Sequence, residues 1–346
     1  MESVVLMKLT IKEIAAAAGV SQAAVSITLN NREGISREKR ELILSIAKDL
    51  GYLGTKKNVN TSIKFLVYKR SEDIVVLDDP FASSLIQGIE SECRKHSYEL
   101  SINQILVKDS DTPASLDELE LKKSSGLLLF ATEMYAHDLE AFKKLDMPIV
   151  VVDNYFKNEN FDYVLINNTG AGYKVANYLM ENGHKDIGFL DSSVDTMNNI
   201  YYRKLGFMEA LNEKGLSLNK QHLHELRPTL EGSYRDMKRI LEDKSFSLPT
   251  AYYAGNDWIA LGALKALNEK GIKVPETVSL VGMDDQPYCE ISYPPLTTVR
   301  VFKKEIGEIA VRRLLEKIRQ PNSVSQKTEV ETELVIRKSV LNITGP

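Results

Sequence analysis

Two cysteines, one tryptophan and five histidines are few for a chain of 346 residues, and each scarcity excludes something. Cys93 and Cys289 stand far apart, without a CxxC unit or a histidine cluster beside them, so neither a disulfide framework nor a zinc site is indicated. No run of about 18 apolar residues is present to cross a bilayer. The N-terminus lacks the basic, apolar, small-residue order of a secretion signal, and the expectation is a cytoplasmic protein without membrane association. HExxH, GxSxG and GxxxxGKS/T are also missing. His184, His222, His224 and the Asp284-Asp285 pair remain as bases or metal ligands, and capping or packing accounts for His184 between a helix and a strand. TGAG, with Gly170 and Gly172, is a weak phosphate-loop candidate without dinucleotide spacing. The expectation is a protein that is not an enzyme, with no catalytic residue, metal or cofactor.

What is present is an ordinary globular composition, 43% hydrophobic and 27% charged, long enough for two to three domains. The net charge of -4 is unevenly spread. Residues 1–60 hold nine Lys/Arg against six Asp/Glu, net +3; the remainder holds thirty-five against forty-two, net -7. Only the head suits a polyanion.

In the head, TIKEIAAAAGVSQAAVSITLNN compresses two helices around a Gly-Val step. Thr10 and Glu13 have the spacing of a capping box, with Ile11, Ile14, Ala15 and Ala18 at helical intervals. Gly19 ends that helix, Ser21 caps the next, and Val25 and Leu29 share a face of it. A third helix after Ser36 runs through Leu42, Ile43, Ile46, Ala47 and Leu50. The short Gly-containing turn and the small alanines predict a helix-turn-helix whose second helix presents Gln22, Ala23, Ser26 and Thr28. Gln22 pairs with adenine edges, Ser26 with a base or a phosphate, and Ala23 offers a methyl contact to thymine. Arg32, Arg37, Lys39 and Arg40 suit phosphates. A helical bundle for protein contacts is the alternative.

Behind a polar linker carrying Lys56 and Lys57, strands and helices alternate. IKFLVY, SYELSINQIL, GLLLF, PIVVVD, KDIGFL, TAYYA and VSLVG read as strands, with helices from about Phe81 and Ala114 and around 168–181, 201–213, 232–242 and 256–269. This βα repetition is enough for two α/β subdomains. TTVRV, a helix over 303–319 and ETELVIRKSV follow. Loops at the carboxyl ends of such strands meet at one crevice. Asp153 after PIVVV, Asn256 after AYYAG and Asp284 after SLVGM stand there, and Arg203 opens a helix where the dipole disfavours a cation. Carboxylates, amides and a guanidinium suit sugar hydroxyls; a turn or helix cap is the alternative for each acid and for Asn256. Trp258 and Phe81 stack on a ligand or fill the core.

These motifs, in this order over nearly the whole chain, resemble the LacI/GalR family of bacterial transcriptional regulators. The matching stretches are the head sequence above, GISREKRELILSIAKDLGY, DPFASSLIQGIE, IVVVDN, NNTGAGYKVANYLMENGHKDIGFL, YRKLGFMEAL, AGNDWIALGALKAL, VSLVGMDD and PPLTTVR. The resemblance implies an N-terminal all-α helix-turn-helix domain (1–52), a shortened hinge linker (53–62) and a two-subdomain α/β body resembling periplasmic sugar-binding proteins (63–341). It divides the body into 63–167 plus 296–324 and 168–295 plus 325–341.

On the head, the resemblance and the outward face imply DNA contacts from Thr10, Ser21, Gln22, Ala23, Ser26, Ile27, Asn30, Arg32, Lys56 and Lys57. On the body, the family's effector contacts fall on Phe81, Asp153, Arg203, Asn256 and Asp284. Asn199 and Trp258 are further pocket candidates. The implied partners are operator DNA, a second copy of the chain and a sugar or sugar phosphate effector; a protein co-regulator is the alternative. Two departures stand out: Ile27 occupies a position where the family often has a polar base reader, and LGYLGTKKNVNTSIKF offers no leucine beyond Leu53 for the minor-groove wedge. No leucine heptad follows the last strand, which points to a dimer rather than a coiled-coil tetramer.

Overall fold

The computed structural model describes residues 10–29, 34–50, 61–72, 74, 77, 79–107 and 121–344, and divides the chain into two compact units at Asn60/Thr61. Asn30, Arg32, Lys56, Lys57, all but the last two linker residues and the start of the helix expected near Ala114 lie outside the described residues.

The first unit holds α1 (Ile11–Ala18), α2 (Gln22–Leu29) and α3 (Arg37–Asp49). Half of the capping box forms: Glu13 accepts from Thr10 N at 2.6 Å and from Thr10 Oγ1 at 2.9 Å, while Glu13 N donates to the Thr10 carbonyl instead of its hydroxyl. Gly19 takes the left-handed conformation, φ 62°, and Val20 N closes the turn on the Ala15 carbonyl. Ser21 Oγ then accepts from Ala24 N at 3.2 Å and opens α2. Ile14, Ala15, Val25, Ile43 and Ala47 form the core. Leu42 and Leu50, expected inside, are 48% and 38% exposed, because Ile43 and Ala47, four apart, already define the inner face of α3.

The second unit contains two parallel sheets. β1 (Ser62–Lys69), α4 (Pro80–Lys95), β2 (Glu99–Leu106), β3 (Gly126–Phe130), α5 (Leu139–Lys143), β4 (Ile149–Val152) and β5 (Asp162–Ile166) build the first. α6 (Asn168–Glu181), β6 (Ile187–Ser192), α7 (Asn198–Glu213), β7 (Leu223–Leu226), α8 (Leu230–Ile240), β8 (Ala251–Ala254), α9 (Asp257–Glu269), β9 (Ser279–Val281) and α10 (Tyr288–Ile291) build the second, ordered β7-β6-β8-β9. β10 (Thr298–Val301), α11 (Lys303–Arg319), β11 (Lys327–Val330) and β12 (Thr332–Val335) complete the chain.

The first sheet is ordered β11-β5-β4-β3-β1-β2, so β11 pairs in parallel with β5. This corrects the assignment of 325–341 as a block to the second subdomain: its first strand belongs to the first sheet. The reason is the buried Asp162 carboxylate, whose Oδ1 accepts from Arg313 of α11 at 2.7 Å and from Gln326 N at 2.8 Å. Nor does 296–324 belong whole to the first subdomain. Thr297 bridges to Val281 at the end of β9, and β10 pairs with β12 in a separate antiparallel ribbon. β5, β7 and β11 escaped the sequence reading, β7 and β11 because they are polar strands at a sheet edge.

The glycines of TGAG are structural. Asn167 Oδ1 caps α6 through Gly170 N at 2.8 Å, and a Cβ on Gly172 would sit 1.9 Å from the Arg203 carbonyl of α7. Backbone meets backbone there, leaving no room for a phosphate. Gly172→Ala is expected to destabilise the second unit by about 1–3 kcal/mol and to loosen the helix carrying Arg203; urea denaturation with and without ligand measures both effects.

Candidate ligand cleft and DNA-reading face

On α2, Gln22 and Ala23 are exposed and Ser26 and Ile27 half-buried, one continuous outer strip. Thr28 does not belong to it. It is 3% exposed, because it follows Val25 by three residues on the inner face. Thr10 and Ser21, which open α1 and α2, are exposed.

In the second unit, the carboxyl ends of both parallel sheets face one cavity. Phe81, Asp153, Asn199, Arg203, Asn256, Trp258 and Asp284 all line it. Three acids at strand ends, Asp153 (φ 72°), Asp284 (φ 114°) and Asp285 (φ 51°), hold left-handed backbone that non-glycine residues adopt at a cost. The strained geometry turns Asp153 and Asp284 into the cavity. Asp285 instead pairs with Arg300 and Arg337 at 2.8 and 2.7 Å and ties β10 to the segment after β12.

Arg203 is 2% exposed and fully engaged with the protein. Its Nε donates to Asn168 Oδ1 at 2.9 Å, Nη1 to the Gly255 carbonyl, and Nη2 to Asp284 Oδ1 at 3.4 Å. Burial pushes the Asp284 carboxyl up to about 7 despite Arg203 and Lys303, with Asp257 and Asp153 adding to the rise. Burial likewise raises Asp153 to about 6, against the Thr132 hydrogen bond and the Arg203 charge.

Asp153 Oδ2 accepts from Thr132 Oγ1 at 2.6 Å and from Asn199 Nδ2 at 3.4 Å. Its Oδ1 is buried and meets no donor among the described residues, and the same holds for Gln286 Oε1. Asn256 is both a cavity residue and a helix cap, its Oδ1 accepting from Ile259 N at 2.8 Å. Trp258 is half-buried. Its indole donates across the cleft to Asp79 Oδ2 at 3.0 Å, and Gln286 Nε2 reaches Asp79 Oδ1 at 3.3 Å. Phe81 packs on Phe130 and lies under the Lys303 ammonium, 5.7 Å away.

Thr132, Asp79 and Gln286 are cavity residues that the sequence reading did not select. The signal was present for two of them: Thr132 stands two residues past GLLLF, and Gln286 directly follows the Asp284-Asp285 pair. The histidines stay outside the cavity. His184 is held by Thr250 Oγ1 at 3.1 Å and the Leu341 carbonyl at 3.0 Å, a packing role.

The Bacterial regulatory proteins, lacI family, model matches residues 10–54, and the Periplasmic binding protein-like domain matches residues 176–340. The HTH-type transcriptional repressor PurR of Histophilus somni is 33% identical over 334 residues, 96% of this chain and 98% of that one. The chain belongs to the LacI family. It is accordingly a DNA-binding regulator with a sugar-binding-like body, and not an enzyme. Two solved structures share its fold. A transcriptional regulator CelR-cellobiose complex aligns with a TM-score of 0.72 at 23% identity, covering 96% of this chain and 99% of that one. A LacI family regulator of Enterococcus faecium with bound ribose aligns with a TM-score of 0.68 at 24% identity, covering 82% and 100%. Among the described residues no helix is long and apolar enough to cross a membrane.

For a ligand that donates hydroxyls to Asp153 and Asp284, the two raised carboxyls predict pH-dependent binding. A hydroxyl donor prefers the ionised acceptor, so affinity is expected to fall as pH drops through about 7 and then about 6, by about tenfold per pH unit for each group once below its pKa. The unliganded body behaves oppositely: both native pKa values exceed the unfolded value of about 3.9, so these groups stabilise the fold more at pH 5 than at pH 7.5. The Tm gain on adding ligand should therefore shrink steadily from pH 7.5 to pH 5. A constant gain would mean that neither carboxylate accepts from the ligand.

Proposed function

We propose that the chain is a homodimeric repressor of carbohydrate-utilisation genes whose operator affinity is set by a neutral saccharide in the cleft. The observation that carries the ligand class is the cavity's surplus of acceptors. Asp79, Asp153 and Asp284 line it with a single guanidinium, and Arg203 is already committed to three protein acceptors. Buried Asp153 Oδ1 and Gln286 Oε1 need donors. A sugar hydroxyl supplies one; a phosphate brings only acceptors and charge of the wrong sign. Phe81 and Trp258 offer apolar faces to the ring. Sugar phosphates are thus the weaker choice.

Gln22, Ala23, Ser26 and Ile27 read base edges in this proposal, with Thr10 and Ser21 at the helix starts near the backbone. One head makes few contacts, and a dimer on two half-sites supplies the remaining affinity and specificity. The second unit presents a candidate surface for pairing, an apolar groove with Leu230, Tyr288, Ile291 and Tyr293 at its edge. Ile291 is 80% and Tyr293 89% exposed.

The test is fluorescence anisotropy of labelled operator titrated with the protein, with and without each member of a saccharide panel. A saccharide that binds the body should shift operator affinity by about 5–150-fold, and operator should shift saccharide affinity by the same factor. If every saccharide that binds leaves operator affinity untouched, the regulatory reading fails.

A further inference from the structure

Behind the cavity lies a second chamber that shares two of its walls. Asp153 and Asn199 line both, and the rear space is completed by Tyr155, Tyr202, Asn168 and Glu329. Water centres can occupy about 70 Å³ of the front chamber and about 80 Å³ of the rear one. Each is room for about five to eight water molecules, which is what one sugar ring with its hydroxyls displaces. The two chambers adjoin through Asp153 and Asn199, so a two-ring sugar has room for one ring in each.

We propose that the effector is a saccharide of at least two units, the second unit seated in the rear chamber against Tyr155 and Tyr202. This rests on the saccharide reading of the front chamber. Three observations carry the extension. The partition carries the contact from Asn199 Nδ2 to Asp153 Oδ2 at 3.4 Å, at the weak end of hydrogen bonding, and the bond from Arg203 Nε to Asn168 Oδ1 at 2.9 Å. Asp153 stands in that partition with its buried Oδ1 unmatched, so a hydroxyl next to the glycosidic link gains an acceptor at the junction. The rear walls offer Tyr202, with Asn168 and Asn199 as amides, beside a second ring, Tyr155, that lies under the Lys327 ammonium at 4.4 Å, Lys327 also pairing with Glu329 at 2.7 Å. Asn168 also holds Arg203 Nε at 2.9 Å, so the rear unit touches the residue that fixes the front guanidinium. Thr169, Lys327 and Glu329 are exposed at the solvent edge, leaving a longer chain a way out.

The experiment is calorimetric titration of the full chain with matched sets: glucose, cellobiose and maltose; galactose, lactose and melibiose. At least one disaccharide should bind with one molecule per chain and tenfold or more tighter than its component monosaccharides. Thr169→Trp, which fills the rear chamber from its exposed edge, should reduce that disaccharide to monosaccharide affinity. Tyr202→Ala, which removes a wall, should do the same, with circular dichroism confirming that both variants are folded. Monosaccharides that bind as tightly as every disaccharide would overturn the extension and leave the saccharide reading standing. Two monosaccharide molecules bound per chain would also overturn it. Binding by no saccharide in the panel would sink both.

Discussion

Arg203→Ala should abolish the ligand response while operator binding survives. The guanidinium is 2% exposed and bridges Asn168, the Gly255 carbonyl and Asp284, so it spans the start of α6, the loop before α9 and the loop after β9. Its removal strips Asp284 of the charge that holds its pKa down, and burial then drives that carboxyl further toward the neutral acid. The cavity loses both the only cation that lines it among the described residues and an ionised acceptor. Breaking a buried ion pair by deleting one partner costs about 3–5 kcal/mol, so the body should also unfold at lower denaturant. Arg203→Lys separates the two effects. An ammonium restores charge beside Asp284 but cannot reproduce three directed bonds, so stability should recover more than affinity. Saccharide titration, denaturant unfolding and operator anisotropy on the two variants measure the three quantities. An unaltered ligand response in Arg203→Ala would remove Arg203 from the site and, with it, the main electrostatic argument for the cleft.

Much of this site was legible because strand ends are legible. PIVVVD, TAYYA and VSLVG are apolar runs that stop at a polar residue, and in parallel sheets those stops converge; Asp153, Asn256 and Asp284 followed from that rule alone. Arg203 was selected as a cation opening a helix, but α7 begins at Asn198 and places it in the second turn, beyond the main reach of the dipole; its buried acceptors, not the helix end, account for its position. Asp79 was hidden because a turn acid before Pro80 has a sufficient local role: its Oδ1 accepts from Phe81 N at 2.7 Å. Its second role, holding Trp258 and Gln286 from the other sheet, depends on residues 179 and 207 positions away, a separation no local pattern encodes. The exchange of β11 between subdomains was hidden for the same reason. KTEV carries no apolar signal, and its place is set by Asp162, far earlier in the chain. Thr28 shows the converse limit: a polar residue on a short helix reads as outward by type, while the three-residue step from Val25 places it inside.

Ile291→Asp and Tyr293→Asp should each convert the chain to monomers and reduce operator affinity by about 10²–10⁴-fold. Two large apolar side chains at 80% and 89% exposure, beside Leu230 and Tyr288 at 45% and 46%, make a patch that water covers poorly. A twofold pairing places each residue near its own copy, so one substitution introduces two carboxylates into the same desolvated contact. The operator penalty follows from effective concentration: once the first head is bound, the second head of a dimer is held near its half-site, and a monomer has no such advantage. These positions are preferred over Tyr288, whose ring lies 5.3 Å from Trp258 and so adjoins the ligand chamber. Ile291 and Tyr293 do not line that chamber, so the monomeric variants should hold saccharide within a few-fold of the parent. Analytical ultracentrifugation, operator anisotropy and saccharide titration on the same preparations separate the outcomes. Variants that sediment as dimers would show that the groove is not the pairing surface, and variants that are monomeric yet bind operator as tightly as the parent would show that paired heads are not the source of affinity.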